Sequence, residues 1–471
     1  MKILLLLAGI ALGITDVYFS VGTSVADFKV AGNISISSGL ATFSIAQTGN
    51  IGVGDIIVYN TSDSCFIQSK NSADKTQWYV TTKTGATPGD ISNSAVVSIS
   101  RAFNTLIAAI NGATPGAAAL LGSADLVASD IRLYISIYKD GDITGNVIVD
   151  SSWTTDITRY ITIYAPYDIN TAVNLRQRHT GRSGTGTYWL QDYSEHLRLN
   201  GCDYVTVDGL EMDGNNASEK CIEVRPGYLA VTIKNNILHD ARYLREIDLS
   251  FTTNSKIYLY NNVLYNRTNR SGGDNRGILY FSGVFNSTGP DVYVYNNTII
   301  QSSSDSYCIY VNSLSGDSVW QTGLFYNNIL INLDSSSTGT AKCISWKGSD
   351  YKPAYITGDG VSTGYNFTSD NILFQGTAGS GSAKNISIEL FKFIDIDIGL
   401  ENLNISKSSI CSDAGIDLSS DPISPFGLDI IDQKINYWSV GAFSSPKIGR
   451  RHGFGGLSPS GLWRKLRRWE R

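Results

Sequence analysis

Short runs in which apolar and polar residues alternate recur along most of the chain. "ISISSGLATFSI" (34–45), "GVGDIIVY" (52–59), "CFIQSK" (65–70) and "TQWYVTTKTG" (76–85) are separated by Gly, Asn and Ser. A period of two bounded by turn residues predicts half-buried strands, and so a small β barrel or sandwich over residues 17–100. The rule breaks at "SISRAFNTLIAAING" (98–112), where Phe103, Leu106, Ile107 and Ile110 keep helical spacing, with Ser100 placed to cap the start and Gly112 to end it. A short amphipathic helix and linker, 101–125, is expected to close the open end of whatever follows.

From about 126 to 445 the pattern repeats. The Asn pairs of "IKNNILHD", "LYNNVLYN", "VYNNTIIQ" and "FYNNILIN" start at 235, 261, 296 and 327, so they lie 26, 35 and 31 residues apart. In "VTVDGLEM" (205–212) Asp208-Gly209 takes the same place. Asn and Gly both tolerate the left-handed conformation, so each pair predicts a corner between strands. A second column runs through "HLRLN", "CIEVR", "EIDLS", "GILYF", "CIYVN" and "CISWK", with Leu197, Ile222, Ile247, Ile278, Ile309 and Ile344 as first aliphatic residues. Two columns that drift together define stacked coils. Stacked coils pair as parallel strands, and Asn235, Asn236, Asn261, Asn262, Asn296, Asn297, Asn327 and Asn328 form a structural ladder whose amides satisfy one another. The fold class is all-β: a parallel β-helix solenoid with a small N-terminal β domain and a short capping helix.

"VTVDGLEMDG" followed by "VTIKNNILHD" resembles the right-handed parallel β-helix, or pectin-lyase-like, superfamily. "DAGIDLSSDP" (413–422) with "LDIIDQKINYWSVGAF" (428–443) resembles the closing coil of secreted bacterial surface proteins of that type, and "RQRHTGRSGTGTYWL" (176–190) a segment found in them. The resemblance implies a right-handed solenoid that meets polysaccharide. The Trp-Ile-Asp-His and Arg-x-Pro-x-x-Arg motifs of pectate lyases are missing, as is the Asn-Thr-Asp, Asp-Asp, Gly-His-Gly and Arg-Ile-Lys set of polygalacturonases.

Charge changes the picture at the two ends. The net charge is −5, yet residues 446–471 carry eight Lys/Arg against one Glu, about +7, which leaves about −12 for the rest. The body is therefore no nucleic-acid partner. "LWRKLRRWER" in that basic tail, with Trp463, Leu466 and Trp469 at helical spacing, suits contact with an anionic surface. Residues 1–16, "MKILLLLAGIALGITD", read as a signal-like segment too short to span a bilayer. Secretion or display at the cell surface follows. Six scattered Cys give neither a disulfide framework nor zinc spacing; Cys308 and Cys343 share a column and suit either a cross-coil disulfide or two stacked thiols.

Stacking "CIEVR" on its neighbours turns alternate residues outward. One outward column reads Arg198, Glu223, Asp248, Leu279, Tyr310, Ser345; the next reads Asn200, Arg225, Ser250, Phe281, Asn312, Lys347. The column before the first aliphatic residues reads His196, Cys221, Glu246, Gly277, Cys308, Cys343. Arg198, Glu223, Glu246 and Asp248 are the catalytic candidates, and Arg225, Phe281, Tyr310, Asn312 and Lys347 the binding candidates. No cofactor is demanded; calcium is the ion that Glu223, Glu246 and Asp248 would hold through oxygen ligands. "DGDITG" (140–145) resembles part of a calcium loop but lacks the later Glu, and His239-Asp240 reads as a polar turn. The expected function is glycan binding by an outward strand face, without catalysis. The alternatives are a polysaccharide lyase or hydrolase at the acidic cluster, and a purely structural surface solenoid. An ion-pair ladder of little energetic weight is the plainest account of the cluster.

Overall fold

The computed structural model describes residues 13–443 apart from internal stretches, of which the longer are 267–276, 284–289, 314–321, 334–341, 347–360, 370–381, 396–401 and 421–427. Residues 1–12 of the signal-like segment 1–16 and the basic tail 446–471 lie outside the described residues, while Thr15 and Asp16 open the first solenoid strand. Three parallel sheets wrap one apolar core. Among the described residues the first sheet has nine strands, from Thr15–Val21 and Ile131–Ile137 to Val361–Gly364; the second has seven, from Tyr188–Leu190 to Phe367–Thr368; the third has seven, from Val147–Asp150 to Lys342–Trp346. Each coil passes through the three in turn, as in Val205–Asp208, Glu211–Asp213 and Ile222–Val224. The chain is a parallel β-helix.

The Asn pairs sit at the corner between the first and second sheets, and the two members do different work. Asn235, Asn261, Asn296 and Asn327 have φ of 56°, 56°, 52° and 57°, and Gly209 has 77°, so the first member turns the chain. Both members are buried; the second builds the continuous ladder, and the first adds Asn261 Nδ2 to Asn235 Oδ1 (3.2 Å) and Asn235 Nδ2 to Asp208 Oδ1 (2.7 Å). The Oδ1 of Asn262 accepts from the backbone N and the Nδ2 of Asn236 (3.1 Å each), and Asn297 does the same for Asn262 (3.0 Å each). Asn328 receives Asn297, and Asn366, which the pair pattern misses, receives Asn328 at 2.9 Å through Nδ2. Every amide also donates to the strand of the coil before, as Asn262 does to Ile233 O at 2.8 Å. The amides of the second members are thus satisfied inside the core, as burial demands.

Several boundaries differ from the sequence expectation. Thr15–Val21 is not part of the N-terminal domain: it pairs in parallel with Ile131–Ile137 and is the first rung of the solenoid, with Val17, Phe19 and Val21 in its core. Its period of two fits either unit, and only the pairing partner tells them apart. The barrel is a closed six-stranded one, from Asn33–Ser37 to Ile91–Ser100, around Trp78, Ile57 and Ile99, and it is inserted after that first rung. Ser100 ends the last barrel strand, so the helix Leu106–Ile110 is capped by Thr105, whose side chain accepts from Ala108 N. This helix, with Gly116–Leu121 and Leu126–Ser129, packs Leu106, Ile110, Leu121 and Leu126 onto the end of the solenoid core, which is the expected cap.

The C-terminal segment is a strap rather than a closing coil. Gly441 N donates to Asn327 O, Asn261 Nδ2 to Leu428 O, and Arg176 to Ile431 O, so the chain runs back along the solenoid. Ile430, Val440 and Phe443 thereby cover Ile237, Val263, Ile300 and Ile329 on the outer face of the second sheet.

Candidate functional site

The third sheet brings together most of the residues singled out from the sequence. Arg198, Glu223 and Asp248 share one outward column, as expected. The register then shifts by one: Leu279, not Ile278, pairs with Ile247 and Ile309. The column therefore continues Tyr280, Tyr310, Ser345, and its neighbour runs Ser250, Ser282, Asn312. Phe281 is no binding residue; it is fully buried, stacked between Leu249 and Val311 in the core. Tyr310 faces outward but is only 3% exposed, layered on Tyr280 at 5.6 Å, and Asn312 Nδ2 donates to Tyr280 Oη at 2.6 Å. Neither tyrosine offers a free ring to a ligand. Lys347 lies outside the described residues.

The acidic cluster is neutralised from within. Glu223 meets Arg198 at 2.8 Å, Arg225 at 3.0 Å and Lys220; Asp248 meets Lys220 and Arg245 at 3.0 Å each; Glu195 meets Arg198. Burial acts to raise the Glu223 carboxyl, but Lys220, Arg198 and Arg225 outweigh it and hold the group below its ordinary value. Four cations on three carboxylates leave no excess of negative charge for calcium.

Glu246 does not join the group. It sits at the corner between the second and third sheets, fully buried, with Oε1 accepting from Asn266 Nδ2 (2.9 Å) and Ala241 N (3.2 Å). Burial pushes its carboxyl up to about 8. The calcium triad Glu223, Glu246, Asp248 is therefore not formed, because the chain turns a corner between Glu246 and the outward residues of its strand. In the same corner column Cys308 and Cys343 are buried thiols whose Sγ atoms face backbone carbonyls, Ile331 O at 3.2 Å and Leu330 O at 3.3 Å. Asp140 of the calcium-like loop pairs with Arg101 at 2.7 Å.

Two features escape sequence reasoning. One is a polar and aromatic strip on the outer face of the first sheet, where Thr162, Thr206, Thr232, Tyr258 and Tyr293 follow one another on consecutive rungs. Tyr258 and Tyr293 stack at 4.9 Å and 9°, and Thr206, Thr232 and Tyr258 are partly exposed. Tyr260, Tyr295 and Tyr326 form the adjoining column, and Leu418, Ile435 and Trp438 of the strap border it. The signal was present in "IYLYNN" and "VYVYNN", one step before each Asn pair.

The other feature surrounds His239. The register sets Asp213 beside it, and Glu211 is two residues earlier on the same strand as Asp213. His179 and His196 are structural by contrast: burial lowers both to about 4, and each faces a backbone carbonyl through Nε2, Asn235 O at 2.8 Å and Asp213 O at 2.9 Å. No protein-family model matches the chain, and no curated protein matches it in sequence.

Proposed function

We propose that this chain is a secreted or cell-surface β-helix protein of the pectin-lyase-like kind that binds glycans along an outward strand face and does not cleave them. The observation that carries this is the partly exposed Thr206, Thr232, Tyr258 column, whose last ring stacks on the buried Tyr293. Rungs of a parallel sheet repeat about every 4.8 Å. The column thus offers the hydroxyls of Thr206 and Thr232 and the partly exposed ring of Tyr258 in a straight, rigid line, which is what an extended sugar chain needs for hydrogen bonds and ring stacking. The apolar run of the signal-like segment, ahead of the strand that opens at Thr15, supports export, and the basic tail supports attachment to an anionic surface. No described helix is long and apolar enough to cross a membrane.

A lyase or hydrolase at the acidic cluster has less support. A hydrolase needs a carboxylate free to take or give a proton, and a lyase a base free to remove one, while Glu223 and Asp248 are paired with Arg198, Arg225, Lys220 and Arg245 and Glu246 is sealed from solvent. The test is a panel of neutral and uronic-acid polysaccharides in affinity electrophoresis. Tyr258→Ala is expected to weaken binding about tenfold, or about 1.4 kcal/mol, and Thr232→Val to weaken it less. Arg225→Ala, on the third sheet, is expected to leave it unchanged. Failure of the wild-type protein to bind any polymer rejects the proposal, and release of unsaturated products or new reducing ends replaces it with the enzyme.

A further inference from the structure

Four titratable residues meet on the outer face of the second sheet near its first strands. His239 Nδ1 lies 3.0 Å from Asp240 Oδ2 and 3.6 Å from Asp213 Oδ1. These three atoms all fall within 4.8 Å of one another. The other ring nitrogen, Nε2, is buried without a hydrogen bond in normal range and faces Glu211 Oε1 at 3.5 Å. The imidazole is fixed in its plane by Tyr265 of the next rung, stacked at 4.7 Å and 7°. Glu211 is fixed in turn by Ser183 Oγ at 2.7 Å and Gly184 N at 2.8 Å, both from the "HTGRSGTG" loop. The Tyr188 hydroxyl donates to Asp213 Oδ2, the carboxylate oxygen other than the one facing the ring.

We propose that Asp213, His239 and Asp240 bind one divalent transition-metal cation, with zinc as the reference ion, and that Glu211 orients the imidazole from behind. Three arguments carry this. An imidazole nitrogen with two carboxylate oxygens is a donor set for zinc, manganese or nickel and a poor one for calcium. A ligating histidine characteristically gives its far N–H to a carboxylate, and Glu211 stands at that place. Access is open where a metal needs it: the side chains of Asp213 and Asp240 keep 18% and 23% of their exposure, while those of His239 and Glu211 keep 6% and 0%. A proton on His239 would offset one of the three surrounding charges; a divalent ion offsets two and uses the Nδ1 lone pair. The site lies apart from the first-sheet strip and stands independently of the glycan proposal.

The experiment is a titration of the metal-free, full-length protein with zinc chloride at pH 7.5, read by calorimetry, with zinc K-edge absorption spectra of the 1:1 complex. One saturable site is expected, with a single imidazole and otherwise oxygen donors. Asp213→Asn combined with Asp240→Asn is expected to lower affinity by more than about 100-fold, and Glu211→Gln by about 10- to 100-fold. Should the double variant fail to give a native circular-dichroism spectrum, Asp240→Asn alone, at a partly exposed turn, decides the same question. No saturable uptake, uptake indifferent to these substitutions, or a sulfur-dominated spectrum that places zinc on the cysteines overturns the proposal.

Discussion

At the scale of single residues, the Asn296–Asn297 pair divides the left-handed corner from the hydrogen-bonded ladder. Asn297 accepts from Asn262 N and Nδ2 and donates to Leu259 O and Asn328 Oδ1. Asn297→Ala strands several buried polar groups, each costing about 1–3 kcal/mol, so a loss of about 3 kcal/mol or more is expected in urea denaturation. Asn296→Gly keeps the left-handed corner (φ 52°) and should stay within about 1 kcal/mol of wild type. Equal losses at the two positions would refute the division of labour.

Glu246 makes a pH prediction at the same scale. Its carboxyl ionises near 4.5 in the unfolded chain and near 8 when folded, because burial disfavours the charge more than Asn266 and Ala241 favour it. Below 4.5 the group is neutral in both states and has no effect. Between 4.5 and 8 the folded state binds the extra proton, so stability falls as pH rises, by up to about 1.4 kcal/mol per unit, and levels off above 8. Glu246→Gln should lack this loss and be the more stable protein at pH 8.5; parallel stability profiles from pH 5 to 8.5 would contradict it. The left-handed corners were legible in the sequence because Asn-Asn inside a β-branched run has few other uses. The fate of Glu223 and Glu246 was not, since one carboxylate differs from the other only by which side of a corner it falls on.

At the scale of the strand, legibility depended on how sharply a sequence alternates. "CIEVR" and "EIDLS" place charges between aliphatics, and their register, Glu223 beside Asp248, is the expected one. In Gly277–Gly283, Ile278, Leu279, Tyr280 and Phe281 are all apolar, so the pattern does not choose a face, and a slip of one residue exchanges inside for outside. The core decides it by burying Phe281 between Leu249 and Val311, where the expected register would place Tyr280 and bury its hydroxyl. Phe281→Ala is accordingly expected to cost about 3–5 kcal/mol. Ser282→Ala, losing the bonds of its Oγ to Ser250 Oγ (2.9 Å) and Leu249 O (3.4 Å), should cost about 1 kcal/mol. Thermal melts of the two variants check the register, since the sequence expectation, with Phe281 outward, reverses the order.

At the scale of the whole molecule, the barrel joins the solenoid through one buried charge cluster. Arg101, at the end of the last barrel strand, meets both Asp55 oxygens at 2.8 Å, Asp140 at 2.7 Å and Asn50 O at 2.8 Å. Its guanidinium lies between the rings of Phe28 (4.3 Å) and Tyr138 (3.6 Å). Asp55 belongs to the barrel, while Asp140 and Tyr138 follow the solenoid strand Ile131–Ile137, so one side chain ties the two cores. This link was hidden in the sequence, where Asp140 reads as part of a cation loop and Arg101 as the start of a helix. Arg101→Ala leaves Asp55 buried without its cation. Burial already pushes that carboxyl up even with Arg101 present, so a cost of about 3–5 kcal/mol is expected. Because the lost contacts span both units, the barrel should also uncouple: calorimetry is expected to resolve an early barrel transition where the wild-type protein melts in one step. Arg101→Ala with Asp55→Asn removes the stranded charge and should recover part of the stability without restoring the single transition, because the tie to Asp140 and Tyr138 stays broken. A single transition in both variants would mean that the loop contacts of the barrel, such as Asn174 Nδ2 to Gln47 O at 2.7 Å, hold the units together without Arg101.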